Sequence, residues 1–330
     1  MKINIFYRKK GIDKHSIEKV YNSLIPYFED YNTSIIELPY KSKGIIKRIL
    51  NIIYAGVNQS QINHISGDIH YCNLLMCRKK TMLTIHDVYP IIRTSGLKRF
   101  LLKLLWFDLP IKKSYQIITI SEFSKSEILK KINVSSEKIK VIYNCISPIY
   151  LFDKLTFNES KPNILHIGTK ENKNLNSLLE AVKGLNINLL LVGLLNDSQI
   201  QLLQTYNTSY QNFHNVSDIE LYKLYKQCDI VSFVSTYEGF GLPIIEAQAI
   251  GRPVITSNLA SMPEIAGDGA LLVNPLSIKE IKNGILSLIN NPELRETLIL
   301  KGLQNIKRFE AHKIAQQYIK LYKEISNSKK

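Results

Sequence analysis

The residues most able to do chemistry lie in the segment EGFGLPIIEA, Glu238 to Ala247, where two carboxylates bracket a glycine-containing turn. The apolar, β-branched run before it, Asp229–Ser235, predicts a buried strand. Pro243 suits the first turn of a helix, since its missing N–H costs nothing there, and Gly251 suits the helix end. The pattern therefore predicts that Gly239–Gly241 is a strand-to-helix loop at a helix N-terminus.

This predicted turn suits a phosphate group flanked by hydroxyl groups. Backbone N–H groups and the positive end of the helix dipole meet at a helix N-terminus, and glycine lets the backbone approach an anion closely. Carboxylates accept hydrogen bonds from the hydroxyl groups of a sugar and a ribose, whereas the alternative is a tight turn with two surface glutamates. We expect a nucleotide-sugar, with its sugar at Glu238 and its ribose at Glu246. The donor-binding residues expected here are Glu238, Gly239, Phe240, Gly241, Leu242 and Glu246.

Longer stretches of the chain resemble a known family. The run EGFGLPIIEAQAIGRPVITS, followed by MPEIAGDGALLVNP, is similar to the C-terminal signature of family-4 glycosyltransferases. The likeness continues at HIGTKENKNL, VIYN, ISEFS and TIHD, so it covers most of the chain from about residue 80 onward. The resemblance implies the α/β GT-B fold, in which two Rossmann-like domains face each other across a cleft and a C-terminal helix crosses back to the first domain.

The resemblance also implies an activity. Family members transfer a hexose from a nucleotide-sugar, here a UDP- or GDP-sugar, with retention and without a catalytic metal or other cofactor. The sequence contains no D-x-D triplet, with which GT-A enzymes usually hold a metal. Two other interpretations remain open: a catalytically silent GT-B partner subunit, and another GT-B enzyme such as a nucleotide-sugar epimerase.

A lysine lies where the leaving group of such a transfer is expected. Lys173 follows the predicted strand Asn163–Ile167, in a loop that begins at Gly168, so it lies at a strand carboxyl end. By resemblance, Gly168 borders the donor and Lys173 neutralises the diphosphate as its charge builds. The family often has an Arg-Lys pair in this loop, whereas here Asn172 precedes the lysine, and Lys170 is a candidate second cation.

The N-terminal half contributes a histidine and an aspartate at another strand end. His86 and Asp87 lie at the end of the predicted strand Met82–His86. By resemblance to the family's T-x-H-D element, His86 would contact the donor sugar and the acceptor region, and Asp87 would position His86 or the acceptor. Gly11, after the predicted strand Lys2–Tyr7, resembles the family's glycine-containing loop near the diphosphate. The expected catalytic residues are His86, Asp87, Lys173 and Glu238.

Length and composition limit the class of protein. The chain has 330 residues, 45% of them hydrophobic, which suffices for two domains with separate cores. It contains no apolar run of the length that crosses a bilayer, and its N-terminus, MKINIFYRKK, is charged too early for a signal peptide. The four cysteines form no C-x-x-C pair, which indicates reduced thiols in a cytosolic protein.

The net charge of +15 is concentrated in the N-terminal half, where residues 1–155 contain 25 Lys and Arg against 12 Asp and Glu. Basic and apolar residues are interleaved in Lys41–Gly56 and Leu97–Lys113, which is typical of helices on anionic membrane surfaces. The alternative is ordinary helices whose apolar side packs in the core. Nucleic acid is not expected, since no nucleic-acid motif accompanies the charge. We expect a protein peripheral to the inner face of the cytoplasmic membrane that acts on a glycan or lipid-linked glycan acceptor.

The order of the predicted elements indicates two α/β domains. Residues 1–150 alternate strands and helices, which predicts a parallel sheet covered on both faces. Prolines and polar residues then break the pattern, so 151–162 is the expected linker. Residues 163–310 resume the alternation, and 311–330 is the expected crossing helix. The predicted strands are Lys2–Tyr7, Ser34–Pro39, Met82–His86, Gln116–Ile120, Lys140–Tyr143, Asn163–Ile167, Asn188–Val192, Ile230–Val234, Pro253–Thr256 and Ala270–Val273.

Overall fold

A computed structural model of the protein describes residues 1–9 and 16–327, which form two compact units. Unit 1 consists of Met1–Cys145 with Glu310–Lys330, and unit 2 consists of Ile146–Phe309. Each unit is a six-stranded parallel sheet with helices. Gly11, expected near the diphosphate, lies outside the described residues.

The sheet of unit 1 has the strand order β2-β1-β3-β4-β5-β6. Its strands are β1 Lys2–Tyr7, β2 Asn32–Glu37, β3 Ile62–Ile65, β4 Thr81–Ile85, β5 Gln116–Thr119 and β6 Ile139–Val141. Its first helices are α1 Ser16–Leu24, α2 Ile45–Val57, α3 Tyr89–Ile92, α4 Gly96–Lys103, α5 Leu109–Lys112 and α6 Glu122–Lys131. The order reverses between β1 and β3, and ligands of open α/β sheets bind at the carboxyl ends of strands that flank such a switch point.

The sheet of unit 2 has the order β9-β8-β7-β10-β11-β12, which is the Rossmann order. Its strands are β7 Asn163–Ile167, β8 Asn188–Val192, β9 Ser209–Phe213, β10 Ile230–Phe233, β11 Val254–Ser257 and β12 Leu271–Val273. Its helices are α7 Leu175–Ala181, α8 Asp197–Thr205, α9 Asp218–Gln227, α10 Leu242–Ile250, α11 Met262–Ala266, α12 Ile278–Asn290 and α13 Pro292–Asn305. The switch point therefore lies between β7 and β10, and the loops that follow these strands are the ones placed to bind a ligand.

Local sequence signals set where the helices of unit 2 begin. Asn196 and Gln199 at the start of α8 form a reciprocal capping box, and Ser217 and Glu220 do the same for α9. The central strand β10 has all of its residues buried, as its apolar sequence IVSF predicts. Because these helices begin at capped residues, the loops that lead into them from the carboxyl edge of the sheet end at defined positions.

The stretch that the sequence suggests as a linker is held against unit 2. The fully buried guanidinium of Arg252 donates to the Asp153 carbonyl oxygen at 2.6 Å and to its carboxylate Oδ2 at 3.2 Å. The same side chain donates to the carbonyl oxygens of Tyr225 and Lys226, each at 3.0 Å. A buried arginine is tolerated when such acceptors surround it, so Arg252 anchors this segment to the core of unit 2.

The last helix, α14 Ala311–Asn327, packs on the sheet of unit 1 through a buried polar network. Tyr322 Oη lies 2.9 Å from His64 Nδ1, and His64 lies on β3. Tyr318 Oη lies 3.3 Å from the hydroxyl of Tyr21 on α1. The C-terminal segment of the chain is thus built into the same core as its N-terminal strands.

Burial of histidine in this unit predicts a loss of stability in mild acid. Desolvation lowers the pKa of His64 to about 3 and that of His70 to about 4, from an ordinary value of 6.5. The unfolded chain binds these protons as the pH falls below that ordinary value, whereas the folded chain does not, so acid favours unfolding. Each histidine should lower the free energy of unfolding by about 2 kcal/mol between pH 7 and pH 5.

Scanning calorimetry at pH 7, 6 and 5 at constant ionic strength measures this effect. His64→Gln should flatten the dependence of Tm on pH. A wild-type Tm that is the same at pH 7 and pH 5 would contradict the account.

Candidate active site

The loops at the switch point of unit 2 bring Lys173 and Glu238 into direct contact. Lys173 Nζ lies 2.6 Å from Glu238 Oε1 and 4.9 Å from the centroid of the Phe233 ring. The two side chains are 22% and 17% exposed, so a ligand can still reach them. An ammonium has three N–H donors, so the contact with Glu238 does not use all of its hydrogen-bonding capacity. The sequence predicts both residues as catalytic but gives no sign that they pair.

Asn172 holds the two loops together. Its Nδ2 donates to Glu238 Oε1 and to the Tyr237 carbonyl oxygen, each at 3.0 Å, while its own carbonyl accepts from the Thr236 N–H at 2.8 Å. The asparagine stands where the family often has an arginine, and that departure was the only sequence signal at this position. Asn172 is therefore a positioning residue that fixes the Glu238 carboxylate.

Gly168 gives Lys173 the room that it occupies. The backbone of Gly168 has φ +97°, and a Cβ added there would lie 2.7 Å from Cγ of Lys173, which is closer than carbon atoms can pack. The aliphatic stem of the lysine thus crosses directly over the glycine. Lys170, the candidate second cation, is exposed in the same loop.

A buried serine fixes the loop before α10 through hydrogen bonds to its backbone carbonyls. Ser261 Oγ lies 2.9 Å from the Glu238 carbonyl oxygen and 2.6 Å from that of Phe240, so its single O–H proton is shared between these two acceptors. Phe240 is buried against the ring of Phe309 at a centroid distance of 5.7 Å. Gly241, with φ +113°, turns the chain into α10. In the first turn of α10, Pro243 has no N–H and the Ile244 N–H bonds to the Gly241 carbonyl oxygen at 3.0 Å, so the Leu242 N–H and the positive end of the helix dipole are what this start offers to an anion.

Glu246 lies one turn further along α10 and is held by a tyrosine. The Tyr225 hydroxyl donates to Glu246 Oε2 at 2.7 Å. Burial, with a smaller effect of the Glu246 charge, raises the pKa of Tyr225 well above its ordinary value. The hydroxyl therefore keeps its proton and remains a donor that orients the carboxylate. Sequence reasoning missed Tyr225, because nothing in the spacing links it to Glu246.

In unit 1, His86 follows β4 and is held by the backbone of Ser66 and by the side chain of Ser124. Its Nε2 lies 2.9 Å from the Ser66 carbonyl oxygen, and its own carbonyl accepts from Ser124 Oγ at 3.1 Å. A carbonyl can only accept, so Nε2 carries the proton and Nδ1 carries the lone pair in the neutral ring. Burial lowers the pKa of His86, which favours that neutral form. Asp87 Oδ1 accepts from the Tyr89 N–H at 2.9 Å, so this carboxylate is bonded to the first backbone N–H of α3.

Sequence reasoning also missed a charged cluster at the switch point of unit 1. Arg8, directly after β1, contacts both oxygens of Glu18, at 2.7 and 3.0 Å, and its Nη1 lies 3.5 Å from Asp68 Oδ1. These three charges act on His86: Arg8 lowers its pKa, whereas Asp68 and Glu18 raise it, all less than burial does. The one sequence signal is a basic residue immediately after a predicted strand.

Comparison with known proteins identifies the family. The family model "Glycosyltransferase Family 4" matches residues 33–149, and the model "Glycosyl transferases group 1" matches residues 150–305. O-antigen chain mannosyltransferase B from Escherichia coli is 30% identical over 272 residues, which cover 74% of this chain and 70% of that protein. The chain belongs to the family-4 glycosyltransferases.

Further similarities place this family-4 glycosyltransferase among proteins of known fold. O-antigen chain mannosyltransferase RfbU from Salmonella typhimurium is 31% identical over 224 residues, 64% of this chain and 61% of that one. The crystal structure of HepE from Anabaena with UDP and glucose has a TM-score of 0.79 at 17% identity, covering 98% of this chain and 100% of that one. The predicted α/β, GT-B fold is thereby confirmed.

Proposed function

We propose that this glycosyltransferase moves a hexose from a UDP- or GDP-sugar to a lipid-linked or surface-polysaccharide acceptor. The observation that carries the proposal is the Lys173–Glu238 pair in the loops at the switch point of unit 2, next in sequence to the N-terminus of α10. Open α/β sheets bind nucleotides at such a point. Two relatives named as O-antigen chain mannosyltransferases support a polysaccharide acceptor.

The donor diphosphate is proposed to lie between Lys173 and the first turn of α10. Both offer positive charge to an anion, and the charge on the leaving diphosphate grows as the sugar departs. Glu238 Oε1 already accepts from Lys173 and Asn172. We therefore assign Glu238 Oε2 to a hydroxyl of the donor sugar, and Glu246 to the ribose.

The transfer is proposed to retain the configuration at the anomeric carbon. The bond from that carbon to the diphosphate oxygen breaks through an oxocarbenium-like state, and the acceptor oxygen bonds to the same face. The acceptor proton passes to an oxygen of the leaving diphosphate. The protein's own contribution is to neutralise the leaving group with Lys173 and the helix N-terminus. Transfer without a metal stays a prediction, which rests on the family resemblance and agrees with the missing D-x-D triplet.

His86 and Asp87 are assigned to the acceptor. The neutral His86 ring has its Nε2 proton directed at the Ser66 carbonyl, which leaves the Nδ1 lone pair to accept a hydrogen bond from a hydroxyl group of the acceptor and so to orient it, while the reacting proton passes to the diphosphate. Asp87 fixes the start of α3 and so the backbone that follows His86.

The site of action is proposed to be the inner face of the cytoplasmic membrane, to which the protein would be peripheral. Among the described residues, no helix has the length and apolarity needed to cross a bilayer. The excess of basic residues in 1–155 favours attraction to anionic lipid, and added salt screens this attraction.

A panel of nucleotides and nucleotide-sugars tests the donor assignment. UDP, GDP and ADP, and their sugars, are added to the intact protein while Tm is recorded, since a ligand that binds only the folded state raises Tm. The nucleotide and the nucleotide-sugars of one base should raise Tm, and the protein should slowly hydrolyse those nucleotide-sugars. In the wild type, the nucleotide-sugar and the free nucleotide should raise Tm by different amounts. In Glu238→Ala, the two Tm shifts should become equal. If no member of the panel shifts Tm or is hydrolysed, the proposal fails.

A further inference from the structure

Helix α2, Ile45–Val57, turns an apolar face away from the protein. Its opposite face packs inward through the buried Asn51 and Ala55. A helix on a globular surface normally carries charged or polar residues on its outer face. Here the outer face consists of Ile45, Ile46, Ile49, Leu50, Ile53 and Val57, whose exposed fractions range from 40% at Leu50 to 76% at Val57.

Polar contacts hold this helix in place, so its exposure is not a sign of loose packing. Asn51 Nδ2 donates to the Tyr40 carbonyl oxygen at 2.9 Å and to the Tyr71 hydroxyl at 3.1 Å. The Arg48 guanidinium lies 4.6 Å from the centroid of the Trp106 ring, which itself contacts the ring of Tyr71. The helix is therefore fixed from its inner side, and its aliphatic row is presented outward.

The charged residues in the sequence of this helix and on both sides of it are of one sign. From Leu38 to Gly67 the sequence contains no aspartate or glutamate, and its basic residues are Lys41, Lys43, Lys47 and Arg48. The three lysines are exposed. An aliphatic face whose own segment of chain carries only basic charges matches the boundary of a bilayer that has anionic headgroups above acyl chains.

We propose that the outer face of α2 inserts into the headgroup region of an anionic bilayer and docks unit 1 there. The inference rests on the proposed membrane location of the transferase and extends it, because it assigns a specific inserting surface in addition to general attraction by charge. A second copy of the chain fits this face less well. A two-fold contact places the same border of both copies together, so lysine would face lysine.

Vesicle sedimentation tests the proposal with the 330-residue chain and no donor or acceptor. Vesicles of phosphatidylglycerol mixed with phosphatidylcholine are compared with vesicles of phosphatidylcholine alone. The variant carries Ile46→Asp and Ile49→Asp, both at exposed positions. The control carries Leu300→Asp, at a residue of α13 in unit 2 that is 56% exposed. The double variant should lose roughly tenfold or more in partitioning to the anionic vesicles, while the control matches the wild type.

Two further measurements distinguish insertion into the bilayer from purely electrostatic binding and from dimerisation through this face. They are the release of the protein by salt and its association state. High salt should release only part of the wild type, because aliphatic insertion is not screened. Complete release by salt, or a double variant that partitions like the wild type, would overturn the proposal. So would a wild-type dimer in light scattering that the double variant converts to a monomer. Donor hydrolysis without vesicles should be equal in wild type and double variant. If the wild type hydrolyses no donor, the transferase assignment is refuted, but the conclusion from the vesicle experiment is unaffected.

Discussion

Replacing Lys173 with alanine should lower sugar transfer roughly a thousandfold, the upper range for loss of one group that stabilises an oxyanion. The ammonium at 2.6 Å from Glu238 is the cation in the loops at the switch point of unit 2 that we assign to the leaving diphosphate. Its removal also leaves the Glu238 carboxylate without its counter-charge, which repels the diphosphate further. The loss should appear mainly in kcat, because charge on the leaving group is greatest in the transition state.

Lys301→Ala is the matched control for this variant. Lys301 is exposed on α13 of the same unit, so the substitution removes the same charge without touching the switch-point loops. Transfer is followed with the donor that the nucleotide panel selects, and Tm is recorded for both variants to confirm folding. A Lys173→Ala enzyme within about threefold of the Lys301→Ala enzyme would show that the lysine does not act on the leaving group.

Gly168→Ala should cost roughly a hundredfold in transfer, although residue 168 is proposed only to border the donor. The added methyl group would lie 2.7 Å from Lys173 Cγ, so the lysine stem must move. Displacement of a catalytic group by about 1 Å is enough for a loss of this size. The positive φ of +97° adds backbone strain of about 1 kcal/mol to the folded state.

The variant Gly184→Ala is the control that separates the effect of backbone strain from the effect of moving the Lys173 side chain. Gly184 also has a positive φ, +75°, but a Cβ there meets no atom within 4 Å. Both variants should lose comparable stability in calorimetry, whereas only Gly168→Ala should lose transfer. Equal transfer rates for the two variants would mean that the position of the Lys173 stem does not matter.

Much of the fold could be predicted because the central strands are buried on both faces. Strands β7 and β8 have the predicted bounds, and β10 ends one residue before the predicted end. Two strands gave no usable signal. The edge strand β9, SYQNF, is largely exposed and polar, and β3, INHI, carries Asn63 and His64 inside the core. His64 is accommodated by a tyrosine that lies 258 residues away in the chain, which no local pattern reveals.

The members of the candidate site could be named from the sequence, but their arrangement could not. The sequence predicts Lys173 in the loop after one strand and Glu238 in the strand-to-helix loop after another, and the strand order brings those two loops together. The contact itself depends on Asn172, which links two loops across the sheet. The ion pairs of Arg8 with Glu18 and Asp68 were missed for the same reason, since they join residues from separate elements.

The most direct test of the central claim is a crystal structure with UDP or GDP, whichever raises Tm more. We predict the diphosphate at about 3 Å from Lys173 Nζ and from the Leu242 N–H at the start of α10, with the ribose hydroxyls at Glu246. A nucleotide whose diphosphate binds away from that helix start, with the Lys173–Glu238 pair left untouched, would contradict the account.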